Sequence, residues 1–324
     1  VNTPYPLAQG FQEFVDLIQA NQKFLVVSHV HPDGDAIGST LSMGLVLERL
    51  GKDVVFYNEH EVPYNFQFLP GADRVVNEVP EGGFDVTVVL DCAEPHRVGE
   101  LPTHGWGKTI AVVDHHKTFD PDFAQVYVQD IEAAATGELV FKVAEHFGVL
   151  DTEIALSLYC CLVTDTGSFR YSNTSQATFI MAGALVAAGV NPWAINSQIY
   201  ESQPKERLML LGRVLNTLEF SPCGRLAFLT IQAADFPVGT DLSLIDGFIN
   251  YARSVRGVEV ATQLMEADDG WRISFRSRGT VDVSQLAARF GGGGHHNAAG
   301  CQIAGAAQDV RSSLSSALVS ILDT

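Results

Sequence analysis

Ile110-Ala111-Val112-Val113-Asp114-His115-His116 decides the fold: four apolar residues that read as a buried strand run directly into a carboxylate and two imidazoles. The same pattern occurs earlier, where the apolar run 24–27 is followed by His29-Val30-His31-Pro32-Asp33-Gly34-Asp35. Two strand ends therefore present metal-ligating side chains. In an open α/β sheet, ligands bind in the crevice beyond the carboxyl ends of the strands, so both clusters are expected to converge on one site. Mixed oxygen and nitrogen ligands suit Mn²⁺, Fe²⁺ or Zn²⁺ rather than Ca²⁺.

Around these runs the first half of the chain alternates short apolar segments with helical patterns. A helix over 36–50 is closed by Gly51 and leads to a strand over 54–57, which makes a βαβ unit. Further strands are expected over 86–90, 110–113 and 125–128, and helices over 137–147, 154–163 and 176–188. This is an α/β pattern: a mostly parallel sheet flanked by helices and covered on both faces. After Gly189-Val190-Asn191-Pro192 two polar-rich helices, 193–200 and 205–218, are separated by Pro204 and read as a helical connector. From Gly224 strands return at 226–231, 259–266 and 271–276, mixed with helices at 242–255 and 283–290, which predicts a smaller α+β C-terminal domain. The expected division is a metal-binding catalytic domain over 1–190, a linker over 191–222 and a substrate-binding domain over 223–324.

Composition narrows the function. A chain of 324 residues, 46% of them hydrophobic, has enough apolar material for two cores. Its formal charge of -18 argues against a basic surface that grips long duplex nucleic acid, because counterion-driven binding needs clustered Lys and Arg. Small phosphorylated substrates remain compatible, since metal ions supply the positive charge that the surface lacks. The five cysteines form no Cys-x-x-Cys pair and are odd in number, which fits a reducing compartment; all five are expected to be buried thiols. The start of the sequence has no signal-peptide pattern, so a cytoplasmic location is expected. The apolar stretch 178–190 is shorter than a bilayer requires and reads as a buried helix, with no membrane partner implied.

Several residues carry candidate chemistry. One carboxylate of the Asp33/Asp35 pair can serve as a helix cap beside a Pro-Asp-Gly turn, but a turn does not call for His29 and His31 as well, so a metal site is the better reading. Asp91 is the charged residue at the end of the apolar run 86–90 and is placed to bridge two metals. Asp165 ends an apolar helix, where a negative charge opposes the helix dipole unless a cation compensates it. In the C-terminal domain Arg276-Ser277-Arg278 ends a strand, and the glycines Gly291, Gly292, Gly293 and Gly294 precede His295. Arginine and successive backbone N–H groups there suit a phosphate.

The ordered set His29, Asp33, Asp35, Asp91, Asp114-His115-His116 and Asp165 resembles the motifs of the DHH phosphoesterases, and the Gly-Gly-Gly-Gly-His tail resembles their DHH-associated C-terminal domain. The resemblance spans nearly the whole chain, and its size and domain content are similar to the stand-alone nanoRNase and pAp phosphatase branch. It implies one divalent metal, most simply Mn²⁺, held by His29, Asp33 and Asp91, and a second held by Asp35, Asp91, His115 and Asp165. It implies that Asp91, His116 and Asp114 are catalytic, with Asp114 orienting a neighbour. Arg97, His116, Arg276, Ser277, Gly293, Gly294 and His295 would contact substrate across an interdomain cleft. His31 departs from the family, standing where relatives commonly carry Asn.

The implied activity is two-metal hydrolysis of short oligoribonucleotides to mononucleotides and of pAp to AMP plus phosphate, with a homodimer as one oligomeric form. The nearest alternative in the family is a phosphodiesterase acting on c-di-AMP and pApA. It is lowered here because no sensory domain precedes the catalytic residues. A pyrophosphatase lacks the glycine-His tail, and a RecJ-like exonuclease would need extra nucleic-acid-binding domains. Outside the enzymes, a non-catalytic nucleotide sensor is disfavoured because every expected ligand position is filled.

Overall fold

The computed structural model describes residues 8–235, 242–245, 247–267, 270–279 and 281–322. It divides into two compact units, Val1–Ser202 and Gln203–Thr324.

The first unit is built on β1 (Lys23–Ser28), β2 (Asp53–Tyr57), β3 (Val86–Leu90), β4 (Thr109–Asp114) and β5 (Val126–Gln129). These pair in the order β2-β1-β3-β4-β5, all in parallel. Alternation sets the two faces. Phe24, Val26, Val86, Val88, Ala111 and Val113 point into a core with the helices, and Leu25, Val27, Val89 and Val112 point to the other side. Strand order reverses between β1 and β3, and such a switch point opens a crevice at the carboxyl ends of the strands. His29 follows β1 and Asp91 follows β3, so both stand at that crevice.

The helices of this unit are α1 (Phe11–Ala20), α2 (Gly34–Arg49), α3 (Pro95–Val98), α4 (Thr136–Phe147), α5 (Thr152–Asp165), α6 (Gln176–Ala187) and α7 (Pro192–Tyr200). Helix α2 is buried along almost its whole length, which its small residues permit. A Cβ on Gly38 would lie 2.5 Å from Cys161 Sγ of α5, and one on Gly44 would collide with the Phe56 ring of β2. Close approach of α2 to α5 and to the sheet is therefore written into glycine positions. The opposite face of the sheet is covered mainly by irregular segments that contribute Phe84, Cys92, Val98, Leu101 and Phe123.

The second unit contains α8 (Lys205–Leu215), β6 (Glu219–Phe220), β7 (Leu226–Ile231), α9 (Phe248–Ser254), β8 (Val260–Ala267), β9 (Gly270–Ser277), α10 (Val283–Arg289), β10 (Gly293–His295), β11 (Ala298–Ile303) and α11 (Ala307–Leu322). Its mixed sheet has the order β10-β11-β9-β8-β7-β6, with β7 and β8 parallel and the other pairs antiparallel. Helices α10 and α11 pack on one face through Leu286, Leu314 and Leu318, and α8 and α9 pack on the other through Leu210, Val214 and Phe248. The α/β first unit and α+β second unit agree with the sequence pattern. The two helices expected as a connector fall one in each unit, α7 in the first and α8 in the second.

One local expectation differs. Cys223 is exposed on the turn Ser221-Pro222-Cys223-Gly224, whereas the other four cysteines are buried. Within the run Gly291 to Gly294, Gly293 and Gly294 belong to β10. Gly294 has φ +142°, and a Cβ there would lie 2.5 Å from the Ala298 carbonyl oxygen of β11, so only glycine lets these strands close. Among the described residues no single helix is long and apolar enough to cross a membrane. Helices α6 and α7 meet the length and composition test only as a pair bent by 106°.

Candidate metal centre

Each strand end delivers its side chains by a local device. Asp33 caps α2, its Oδ1 accepting from the backbone N–H groups of Asp35 and Ala36 at 3.1 Å each. That cap turns the chain so that Asp35 enters the first turn of α2, fully buried, and reaches the start of α4. There its Oδ2 accepts from Thr136 N at 2.6 Å and its Oδ1 from Gly137 N at 3.0 Å. A carboxylate aimed at a helix N-terminus is held by two charge-assisted hydrogen bonds and by the dipole. Asp91 has φ +61°, a left-handed backbone that short polar side chains tolerate best, and this turns its carboxylate back over the sheet. Asp165 is the last residue of α5, as its sequence context suggests.

These residues form three groups whose ligand atoms lie within 4.8 Å of one another: His29, Asp33 and Asp91; Asp35, His115 and Asp165; and Asp91, His115 and His116. His29 Nε2 is 3.4 Å from Asp91 Oδ2, and His115 Nε2 is 3.6 Å from Asp91 Oδ1, 3.4 Å from Asp165 Oδ2 and 3.9 Å from Asp35 Oδ2. Asp91 is thus shared between a group centred on His29 and one centred on His115. Both histidines spend Nδ1 on a backbone carbonyl, His29 on Val30 at 2.9 Å and His115 on Ala133 at 3.1 Å. With Nδ1–H donating, the neutral ring presents its Nε2 lone pair to the carboxylates, which is how a ligating histidine is held.

The electrostatics leave a demand for cations. Burial raises Asp35 to about 7, assisted by repulsion from Asp91. Burial, with the charges of Asp35, Asp33 and Asp91, also pushes Asp165 well above the carboxylate range. Burial alone would lower His29, but its contact with Asp91 and the charges of Asp33 and Asp91 raise it to about 9. His115 is likewise raised by Asp91 and Asp35 against its own burial. Burial opposes ionisation of Asp91, yet His29, His115 and His116 hold it well below the usual range. Among the described residues none of Asp33, Asp35, Asp91 and Asp165 is paired with a Lys or Arg. Crowded carboxylates without basic partners are costly unless protonated or bound to metal, so the donor set fits divalent ions.

The remaining sequence candidates are placed as follows. His116 Nδ1 is 2.7 Å from Asp114 Oδ1 and 3.6 Å from Asp91 Oδ1, and the buried Asp114 also accepts from His116 N. Arg97 is half-buried on α3, and its carbonyl accepts from Val30 N at 2.8 Å, which joins the Asp91 loop to the His29 loop. In the second unit Arg276 and His295 occupy one rung of the sheet, each facing Ala298 of β11 across the ladder. Gly293 and Gly294 lie beside them, and the side chain of His295 is outside the described residues. Ser277 is buried, and its hydroxyl donates to the Val281 carbonyl at 2.7 Å while accepting from Asn297.

Two contributors escape a motif-led reading. Thr136 Oγ1 donates to Asp91 Oδ1 at 2.9 Å while its N–H holds Asp35, so one residue fixes two candidate ligands. Asn173 Nδ2 donates to the carbonyls of Ala134 and Asp165, at 2.9 and 3.1 Å, and ties the His115 side to the Asp165 side. In the sequence Thr136 reads only as a residue at a helix start. Thr136→Val keeps the shape and loses the hydroxyl bond; divalent-metal affinity is expected to fall by about 10- to 100-fold, as for other residues that orient metal ligands. A titration with Mn²⁺ checks this, and an unchanged affinity would remove Thr136 from the account.

A parallel sheet whose strand ends gather imidazoles and carboxylates that could hold metal ions defines an α/β protein with a candidate metal centre. Residues 23–162 match the model of the DHH family, N-terminal domain, and residues 229–321 match the DHHA1 domain. The chain belongs to the DHH family. It is 34% identical over 284 residues to the bifunctional oligoribonuclease and PAP phosphatase NrnA of Thermus thermophilus, covering 86% of this chain and 84% of that protein. It is 26% identical to the Bacillus subtilis protein of the same name, covering 90% and 92%. Among solved structures an exopolyphosphatase-related protein from Bacteroides fragilis superposes with a TM-score of 0.89 at 26% identity, covering 98% of each chain.

Proposed function

We propose that this chain is a two-metal phosphoesterase that hydrolyses short oligoribonucleotides to mononucleotides and pAp to AMP plus phosphate. The observation that carries the reading is Asp91, buried and shared between the His29–Asp33 group and the His115 group, with no Lys or Arg paired to it among the described residues. The names of the Thermus and Bacillus relatives support the substrate class. His29, Asp33 and Asp91 would hold one ion, and Asp35, Asp91, His115 and Asp165 the other. Their nitrogen and oxygen donors suit Mn²⁺. When bound, such a pair supplies Lewis acidity to water and to the phosphoryl oxygens.

The protein's own share is positioning and proton movement. Asp114 holds His116 by Nδ1 and so orients its ring, and His116 is assigned to protonate the leaving nucleoside oxygen through its other nitrogen. Arg97 is assigned to the phosphate because it lies on the loop that follows Asp91. In the second unit Arg276, Gly293, Gly294 and His295 are assigned to phosphate binding. Ser277, whose hydroxyl is engaged within the unit, is assigned to shaping that end of β9. All five cysteines are free, which supports a reducing, cytoplasmic setting.

The test is chromatography of products from pAp, a dinucleotide, a pentanucleotide and c-di-AMP at equal enzyme with Mn²⁺. Phosphate from pAp and mononucleotides from the short RNAs are expected. Binding of these ligands without turnover would instead establish a nucleotide sensor, and turnover of c-di-AMP alone would move the protein to cyclic dinucleotides.

A further inference from the structure

Two imidazoles outside the assigned ligand set stand beside it. His31 lies two residues from both His29 and Asp33, so chain geometry keeps its Cα within about 7 Å of theirs. Its ring lies against that of His60 in a tilted contact, with centroids 4.0 Å apart and planes inclined by 33°. His31 is exposed and His60 half-buried, so His60 forms the inner layer. The His31 backbone has φ +53°, a left-handed conformation that residues with side chains adopt when their surroundings impose it.

The imposing contacts are specific. His31 N donates to His60 Nδ1 at 3.4 Å, and His60 N donates to Asn58 Oδ1 at 2.9 Å. Asn58 is fully buried, and its Nδ2 donates to Ser28 Oγ at 3.1 Å and to the His29 carbonyl at 3.0 Å. One asparagine therefore fixes both the loop bearing the inner ring and the backbone of a candidate metal ligand. From the other side, Val30 N is held by the Arg97 carbonyl. The result is a pair of rings in contact, the outer one exposed and the inner one half-buried, braced from beneath and close in the chain to the candidate metal ligands.

We propose that the His31–His60 pair is a stacking platform for the nucleobase of the substrate, and thus a specificity element of the phosphoesterase site. This rests on the hydrolase reading above. An exposed aromatic surface favours a base because every base has a π-face, and stacking of this kind is tolerant of sequence.

The experiment compares hydrolysis of pAp with that of ribose 3,5-bisphosphate, which lacks the base, by wild type, H31A, H31F and H60A, with Mn²⁺ affinity measured for each. The platform predicts that H31A and H60A narrow the preference in kcat/KM for pAp over the base-free compound by about tenfold or more, chiefly through KM. It predicts that H31F restores the preference and that Mn²⁺ affinity is kept. An unchanged preference in H31A would overturn it. So would an equal loss on both substrates in H31A and H31F, or a parallel fall in Mn²⁺ affinity. Failure of the wild type to release phosphate from either compound would instead overturn the hydrolase reading.

Discussion

Asp91→Asn is expected to lower hydrolysis of pAp by about 10³-fold or more while leaving the fold intact. The carboxylate is the element common to the two ligand groups, and His29 Nε2 at 3.4 Å and His115 Nε2 at 3.6 Å flank it from opposite sides. An amide keeps the volume and can still accept from Thr136 Oγ1, but it has lost the negative charge that both ions would share. Asn is the proper test because the position has φ +61°, which Asn adopts readily; Ala adds backbone strain on the order of 1 kcal/mol and confuses stability with chemistry. Phosphate release and thermal unfolding measured on one preparation separate the two effects. Near-normal turnover with Mn²⁺ present would show that Asp91 bridges nothing.

The second large effect is on stability and depends on pH. Asp35, raised to about 7, and His29, raised to about 9, both bind protons more tightly in the folded protein than in the unfolded chain. Their contribution to the metal-free fold is therefore complete below the unfolded values, near 4 for the carboxyl and 6.5 for the imidazole. It is lost as the pH climbs through 7 and then 9. Asp91 is shifted in the opposite direction, and its contribution is already complete at pH 5. The metal-free protein should thus lose stability between pH 5 and pH 9. Divalent ions compete with the same protons, so their stabilising effect should grow over that range. At a hundredfold excess over Kd one site adds about 2.7 kcal/mol. For a unit of this size that corresponds to a rise in Tm of roughly 5–10 °C. Thermal scans with EDTA and with Mn²⁺ at pH 5, 7 and 8.5 should show a small rise at pH 5 and the full rise at pH 8.5. A rise that is equal at all three, or larger at pH 5, would contradict the ligand assignment.

Much of the fold is legible because its signals are local. Apolar runs leading into ionisable residues mark β1, β3 and β4, and the strand-end rule gathers His29, Asp91 and His115 without any knowledge of side-chain positions. Helix α1 carries Phe11, Phe14, Val15 and Ile18 at helical spacing, a signal that a reading led by motifs passes over. The division of labour in Asp33-Gly34-Asp35 is not local. Which carboxylate caps α2 and which turns away is settled by the N-terminus of α4, more than a hundred residues along the chain, where Thr136 and Gly137 offer their N–H groups to Asp35. Thr136 is obscure in the sequence for the same reason. In the glycine run the approach of Ala298 makes Gly294 part of a strand, a long-range pairing that composition does not show. Cys223 is a further case, because a free cysteine is usually buried and only the turn around it leaves the thiol exposed.

The central claim is a pair of cations sharing Asp91. Anomalous diffraction from crystals of this protein grown with Mn²⁺ tests it most directly. The account predicts two manganese peaks per chain, one among His29, Asp33 and Asp91 and one among Asp35, Asp91, His115 and Asp165. A single peak remote from Asp91, or none among these side chains, would contradict it.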